Sequence, residues 1–317
     1  MSTDLRSLRR LEPWFYRAPS AHNTQPWVLA YERDRIALGF DPARHLALGD
    51  PTRRDLMLGL GAFVETVLVS CASEGVPVRF AASRANDDVG EFVTSDRVYT
   101  TPFTLDDVDR RRTSRLRYEP GRVPAAILTA AQRHLGTGER LHELQARDVW
   151  PLFVIADRHM YESEATIGEL RRWLRLSKRH PDYQRDGLTY ECLDLSRLEA
   201  RTVAILLRPS IYRLVRATRL HRALTATSKG LFDVDGSVLV LERDVPGEIL
   251  DSGRSLMRVW LELSAAGFYT HPLSQIIDYE VTEREIGRRL DLSKEQRVLS
   301  IFRVGHSNAP ARSHRIA

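Results

Sequence analysis

The chain contains little cysteine, and it lacks the motifs of a metal site, a dinucleotide fold or a serine hydrolase. Among 317 residues only Cys71 and Cys192 occur, without CxxC spacing, so neither a disulfide framework nor a cysteine zinc site is supported. The strings GxGxxG and GxSxG are absent. No segment approaches the roughly 18 uninterrupted apolar residues of a membrane span, and no apolar signal region opens the chain. We therefore expect a cytoplasmic protein with no membrane span and no metal.

The charge balance is basic: 47 Lys and Arg against 42 Asp and Glu give a net charge of +5. No nucleic-acid fold signature accompanies it, so we predict no nucleic-acid partner. One stretch, residues 201–229, is predicted as a basic amphipathic helix broken near Pro209. Such a helix lies on a membrane surface or packs across its own protein, and the sequence leaves both possibilities open. Its arginines are Arg201, Arg208, Arg213, Arg216, Arg219 and Arg222.

Residues 19–26, which we call the amide loop, combine two prolines with hydroxyl and amide side chains just before an apolar run. Pro19 and Pro26 fix φ, and the segment presents Ser20, Asn23 and Gln25. Each amide carries a donor and an acceptor in one plane, which suits the edge of a flat ligand such as a flavin or a base. The alternative is a capped turn that holds Trp27 in the core.

A second candidate is the arginine segment, residues 110–118, which reads RRRTSRLRY. Guanidinium groups bind phosphate bidentately, and hydroxyl groups complete such a cradle. A solvated basic turn is the alternative. The C-terminal PARSHR, with Arg312 and Arg315, has the same two interpretations.

The amide loop resembles the P-S-x-x-N-x-Q-P-W signature of the nitroreductase superfamily, FMN proteins with a two-subunit active site. The arginine segment is similar to the family's R-R-[ST]-x-R-x-[FY] element, although Tyr118 falls one residue late. The length resembles the fused, Acg-like branch. The resemblance implies an FMN site in which residues 272–275 offer backbone N–H groups to the flavin ring and the arginines grip the phosphate. The implied cofactor-binding residues are Pro19, Ser20, Asn23, Gln25, Arg111, Arg112, Thr113, Arg115, Pro272, Leu273, Ser274, Gln275, Arg312 and Arg315.

An internal repeat supports a fused organisation. Two apolar helical stretches, 61–75 and 253–267, both begin and end at glycine with the same spacing. We predict an α+β, nitroreductase-like fold in which two divergent repeats form an intramolecular pseudo-dimer. The first repeat covers residues 1–108 and the second covers 109–317, with a helical, lid-like insertion at about 160–232. One flavin site per chain follows; a homodimer is possible but not required for it.

The local predictions include six strands and several helices. Strands are expected at 27–31, 36–40, 97–103, 150–156, 237–242 and 298–304, and helices at 124–135, 165–180 and 201–229.

The resemblance implies an oxidoreductase that uses FMN to transfer hydride between NAD(P)H, or an organic substrate, and an acceptor. The alternative is a non-catalytic, flavin-sequestering protein of the Acg-like type. No side chain is predicted to act as a nucleophile, so the catalytic residues stay unassigned. The expected partners are a small-molecule substrate and NAD(P)H.

Overall fold

The computed structural model describes residues 4–83, 88–220, 225 and 228–316, and it confirms the α+β class. The first sheet is antiparallel, with the order β1-β2-β4-β3. Its strands are β1 (Trp27–Tyr31), β2 (Arg35–Phe40), β3 (Val78–Ala82) and β4 (Gly90–Thr94). The second sheet is also antiparallel, with the order β5-β8-β10-β9. The later strands are β5 (Glu139–Gln145), the short parallel pair β6 (Leu174–Arg175) and β7 (Leu188–Thr189), β8 (Ser237–Asp244), β9 (Tyr269–Pro272) and β10 (Gln296–Gly305).

Helices cover and connect these sheets. Before the insertion they are α1 (Glu12–Phe15), α2 (Arg54–Ser73), α3 (Leu105–Arg110) and α4 (Ala125–Gln132). Between β5 and β8 lie α5 (Ala146–Glu162), α6 (Glu164–Arg172), α7 (Arg197–Leu206) and α8 (Pro209–Ala217). The second central helix, Ile249–Ala265, follows β8, and the helices Gln275–Asp278 and Glu280–Arg289 precede β10.

The two sheets share one plan. In each, two strands precede a long helix and two follow it, and the strand order is the same. In the first sheet the opening strands are joined by residues 32–34, whereas α5 to α8 separate the corresponding strands of the second sheet. The helical insertion therefore enters between two strands that are otherwise neighbours.

The two long helices, α2 and the second central helix, cross through a reciprocal glycine contact. A Cβ on Gly61 would lie 2.0 Å from the Leu250 carbonyl oxygen, and one on Gly253 would lie 2.3 Å from that of Leu58. Each glycine thus meets the residue three positions before the other glycine, which is the pattern of a two-fold contact. Both glycines lie inside their helices and not at the predicted helix starts. The close approach of the two helices leaves no room for a side chain at either position.

The first central helix, α2, is long and apolar enough to cross a membrane by length and composition. In this structure 83% of its most apolar window is buried inside the protein. Buried on both sheet-facing and helix-facing sides, it serves as a core element.

Two strand predictions are wrong, and two helix predictions are revised. The helix expected at 165–180 ends at Arg172, and β6 follows it. Residues 97–103 form an irregular segment, in which Tyr99 Oη donates to Glu65 Oε1 at 2.7 Å instead of joining a ladder. Residues 150–156 lie inside α5, because the buried positions Val149, Leu152, Phe153 and Ala156 follow helical spacing. Within the described residues, the helix expected at 201–229 is interrupted: α7 ends at Leu206, and Pro209 opens α8. Arg222 lies outside the described residues.

Candidate functional site

The amide loop has an unusual backbone. His22, Asn23 and Gln25 have φ values of 47°, 55° and 50°, in the left-handed region that non-glycine residues rarely adopt. Ser20 Oγ accepts a hydrogen bond from the Gln25 N–H at 2.9 Å, which ties the two ends of the loop together. Backbone conformations of this kind cost about 1–3 kcal/mol each and cluster at ligand sites. The loop is therefore held in a shape that core packing alone does not require.

The Asn23 amide joins three parts of the chain. Its Nδ2 donates to the carbonyl oxygens of Gly187 at 3.0 Å and of His314 at 3.1 Å. Its Oδ1 accepts from Arg315 Nη1 at 2.7 Å. The Gly187 N–H also donates to the Asn23 carbonyl oxygen at 3.1 Å. The insertion and the C-terminal segment thus meet on this side chain.

The Gln25 amide, two residues after Asn23, also bonds to backbone groups of the insertion and of the C-terminal segment. Its Nε2 donates to the Arg185 carbonyl oxygen at 2.9 Å, and its Oε1 accepts from the Ile316 N–H at 3.0 Å. Residues 185–187 and 314–316 therefore cover the amide loop with backbone groups. These are the peptide-like partners that the planar edge of a ligand would replace.

Guanidinium groups converge beside the loop; we call Arg17, Arg111, Arg112, Arg115 and Arg315 the arginine cluster. Arg111 Nη2 and Arg315 Nη2 both donate to the Arg17 carbonyl oxygen, at 3.4 and 3.5 Å. Arg112 Nη1 donates to the Pro310 carbonyl oxygen at 3.1 Å, and Arg115 Nη1 to that of Cys192 at 3.3 Å.

The cluster has more donors than acceptors. Arg17 Nε, Arg111 Nε, Arg111 Nη1 and Arg112 Nε are buried, and no hydrogen-bond partner is found for them within the described residues. In that part of the chain the carboxylate paired with Arg17 is Asp109, at 3.9 Å. Burial lowers the pKa of Arg17 and of Arg111 to about 10, and repulsion from Arg312 and Arg17, respectively, adds to it. Burial also holds the pKa of Arg315 well below its usual value. Buried cations with unused N–H groups are the chemistry of an anion site.

The remaining predicted residues take different places. Thr113 forms an isolated parallel β-bridge with Thr270, which brings the arginine segment beside the start of β9. Pro272 is paired with Phe302, and the Leu273 N–H donates to the Ile301 carbonyl oxygen at 2.8 Å, so this N–H is already used by the sheet. Ser274 and Gln275 begin the next helix and are half-buried.

Arg312 does not join the buried cluster. Its side chain is half exposed and forms an ion pair with Asp109. Arg17, in contrast, lies in the cluster with only 6% of its surface exposed, and it is not among the residues predicted from the sequence. The one sequence signal for Arg17 is its position two residues before the amide loop.

An acidic group lies at the start of α2, on the other side of the amide loop. Arg54 Nη2 contacts Asp55 Oδ1 at 2.8 Å and Asp278 Oδ1 at 2.6 Å, and Asp50 lies nearby with its Oδ1 buried and unpaired among the described residues. Ser20, Asp50 and Asp55 line one small pocket. Burial raises the pKa of Asp50 and of Asp278, and both carboxyl groups lie close to the Arg54 guanidinium.

We expect the Asp278 carboxyl to make stability depend on pH. Burial raises its pKa to about 7, against the attraction of Arg54 and with added repulsion from Asp55. The folded state therefore keeps a proton that the unfolded chain has lost, so the stabilising contribution is complete below about pH 4 and is lost as pH rises through 7. Asp278→Asn should gain stability relative to the parent by roughly 1–3 kcal/mol between pH 4 and 8. Denaturant unfolding across that range measures it. A stability difference between Asp278→Asn and the parent that does not change with pH would contradict the assignment, and the exposed Asp34→Asn is the matched control.

Sequence comparison finds curated relatives that match part of this chain. A Mycobacterium tuberculosis protein named "Putative NAD(P)H nitroreductase Rv3131" is 29% identical over 154 residues, which are 46% of this chain and 44% of the relative. "Putative NAD(P)H nitroreductase acg", from the same organism, is 41% identical over 59 residues, or 19% of this chain and 18% of the relative. These matches support the nitroreductase superfamily. The match spans less than half the length of these relatives, and no family model matches the chain.

Solved nitroreductases resemble the chain only distantly. The FMN and NADPH-dependent nitroreductase NfnB from Sphigopyxis sp. strain HMH is 18% identical, with a TM-score of 0.38 over 67% of this chain and 94% of that one. A nitroreductase with bound FMN from Bacteroides fragilis is 10% identical, with a TM-score of 0.37 over the same shares of 67% and 94%. These likenesses are too low to assign activity or cofactor. Among the described residues, no group of three or more His, Cys, Asp or Glu is placed to hold a metal ion.

Proposed function

We propose that this chain binds FMN, with the phosphate on the arginine cluster and the flavin ring along the amide loop. The unpaired buried N–H groups of Arg17, Arg111 and Arg112 carry the proposal. A dianionic monophosphate would supply acceptors to these donors and offset the desolvation that lowers the arginine pKa values. The chemistry of the arginine cluster therefore fits FMN, the cofactor that the resemblance to the nitroreductase superfamily implies.

The proposed site draws on both halves of the molecule. The amide loop and Arg17 precede the first sheet, whereas Arg111, Arg112 and Arg115 precede the second. Together with the shared strand order and the reciprocal Gly61–Gly253 contact, this supports an intramolecular pseudo-dimer with one flavin per chain. The repeats would meet near residue 108, with the insertion between β5 and β8.

The residues have distinct tasks in this proposal. Bound FMN would supply hydride transfer between NAD(P)H, or an organic donor, and an acceptor. The arginine cluster binds and orients the phosphate, while Asn23 and Gln25 hold the ring edge through planar amide contacts. Backbone groups of residues 185–187 and 314–316 bond to these amides in this structure, and the ring edge would displace them. The Asp278 carboxyl, whose pKa burial raises to about 7, would hold a proton beside Arg54 near neutral pH.

The cofactor and its accessibility can be tested on purified protein. We expect a yellow protein that releases FMN, not FAD, on heating, because the cluster suits a terminal monophosphate. Anaerobic addition of NADH or NADPH should bleach the flavin spectrum. Released FAD, or a colourless protein that does not take up added FMN, would contradict the proposal.

Flavin sequestration is the second candidate, and one observation favours it. Backbone groups of the insertion and of the C-terminal segment cover both amides of the loop. A cover of this kind restricts access to a bound flavin. A yellow protein that neither NADH nor NADPH bleaches, but that dithionite does bleach, would favour sequestration over turnover.

A further inference from the structure

The basic excess of the chain is concentrated in one stretch of the insertion. Residues 197–220 contain six arginines and one glutamate, a net charge of +5, which equals the net charge of the whole chain. The arginines are Arg197, Arg201, Arg208, Arg213, Arg216 and Arg219. Within the described residues, the ion pair found for this set joins Arg216 to Glu164 at 2.8 Å. Most of this charge is therefore free to meet an external anionic partner.

The same stretch carries the most exposed large apolar side chains. Leu198, Leu214 and Leu220 are 73%, 64% and 61% exposed, more than any other large apolar side chain in the described part of the chain. Ile205 is 45% exposed and lies seven residues after Leu198, on the same face of α7 as Arg201. Leucines beside arginines on one exposed surface are typical of interfacial helices.

The opposite side of these helices is anchored. Tyr212 and Val215 of α8 are buried, and Tyr212 Oη donates to the Tyr161 carbonyl oxygen at 2.5 Å. Tyr212 also packs with Ile167 and Leu188 in the core of the insertion. Leu198 and Leu214 consequently belong to helices whose other faces already have partners, and Leu220 lies in the turn that follows α8.

We propose that the exposed arginines of residues 197–220, together with the exposed Leu198, Ile205, Leu214 and Leu220, dock the protein onto an anionic phospholipid surface. Arginines attract phosphate headgroups, and the leucines enter the boundary between headgroups and acyl chains. Nucleic acid would leave the leucines in water. A second copy would place two strongly positive surfaces against each other. Peripheral docking of this kind is independent of the proposed flavin site.

Vesicle co-sedimentation tests the proposal. The full-length protein should bind vesicles of equal parts phosphatidylglycerol and phosphatidylcholine at low salt, and should not bind pure phosphatidylcholine. Raising salt to about 0.5 M should weaken binding at least tenfold, because the arginine contribution is screened. The triple variant Leu198→Ser, Leu214→Ser, Leu220→Ser should bind about thirtyfold more weakly.

A matched variant controls for apolar loss in general. Leu48→Ser, Val98→Ser, Val281→Ser removes three exposed apolar side chains elsewhere and should bind vesicles like the parent. Circular dichroism and thermal unfolding of both triple variants report on folding. Equal binding by both triples, or binding of duplex RNA but not of vesicles, would overturn the proposal. So would light scattering that shows a dimer abolished by the first triple alone, without vesicle binding.

Discussion

Gly61→Ala should destabilise the protein severely, by about 3–5 kcal/mol, or prevent soluble expression. The new Cβ would lie 2.0 Å from the Leu250 carbonyl oxygen, which is backbone and cannot move without separating the two central helices. Gly253→Ala should behave alike, since its Cβ would lie 2.3 Å from the Leu58 carbonyl oxygen. The double variant should cost less than the sum, because both changes open the same crossing. Denaturant unfolding measures these effects.

Gly287→Ala provides the matched control for this prediction. Gly287 is also inside a helix, but nothing lies within 4 Å of the position that a Cβ would take there, so alanine should stabilise by about 0.5–1 kcal/mol. A Gly61→Ala protein as stable as the parent would show that the helices do not cross at this contact.

Arg111→Met should separate cofactor binding from stability. Loss of a charge-assisted hydrogen bond to phosphate is worth about 1.5–3 kcal/mol, so FMN affinity should fall roughly ten- to a hundredfold. The apo-protein should be as stable as the parent or more stable, because a buried, unpaired positive charge is replaced by an apolar chain of similar length. Fluorescence titration and thermal unfolding of the apo-protein give the two readouts.

Arg110→Met is the neighbouring control. Arg110 is exposed and pairs with Asp107 at 2.7 Å, so its loss should leave FMN affinity within about threefold of the parent. If Arg111→Met retained affinity and lost stability, the residue would be structural and the anion site misassigned.

The sequence was most informative where chemistry and periodicity agree over short distances. Residues 27–31 and 298–304 form strands as predicted, and both long apolar helices are present. The glycine pattern predicts a repeat, but a pattern cannot show that Gly61 and Gly253 meet each other. The strand predicted at residues 150–156 is wrong because a short apolar run suits a strand or a buried helix equally well.

The covering of the site depends on contacts distant in sequence. Gln25 meets Arg185 and Ile316, which are 160 and 291 positions away, and no local rule predicts such pairs. Arg312 and Arg315 lie in one basic string, so the sequence alone predicts the same role for both. Folding separates them: Arg315 enters the cluster, while Asp109 holds Arg312 at the surface.

Titration of the apo-protein with FMN and with riboflavin, combined with light scattering on the same sample, tests the central claim most directly. The two flavins differ only in the phosphate that the arginine cluster would bind. We expect one FMN per chain in a site complete without a second chain, and at least about a hundredfold weaker binding of riboflavin. Equal affinity for the two flavins, two flavins per chain, or loss of FMN on dilution to the monomer would contradict the account.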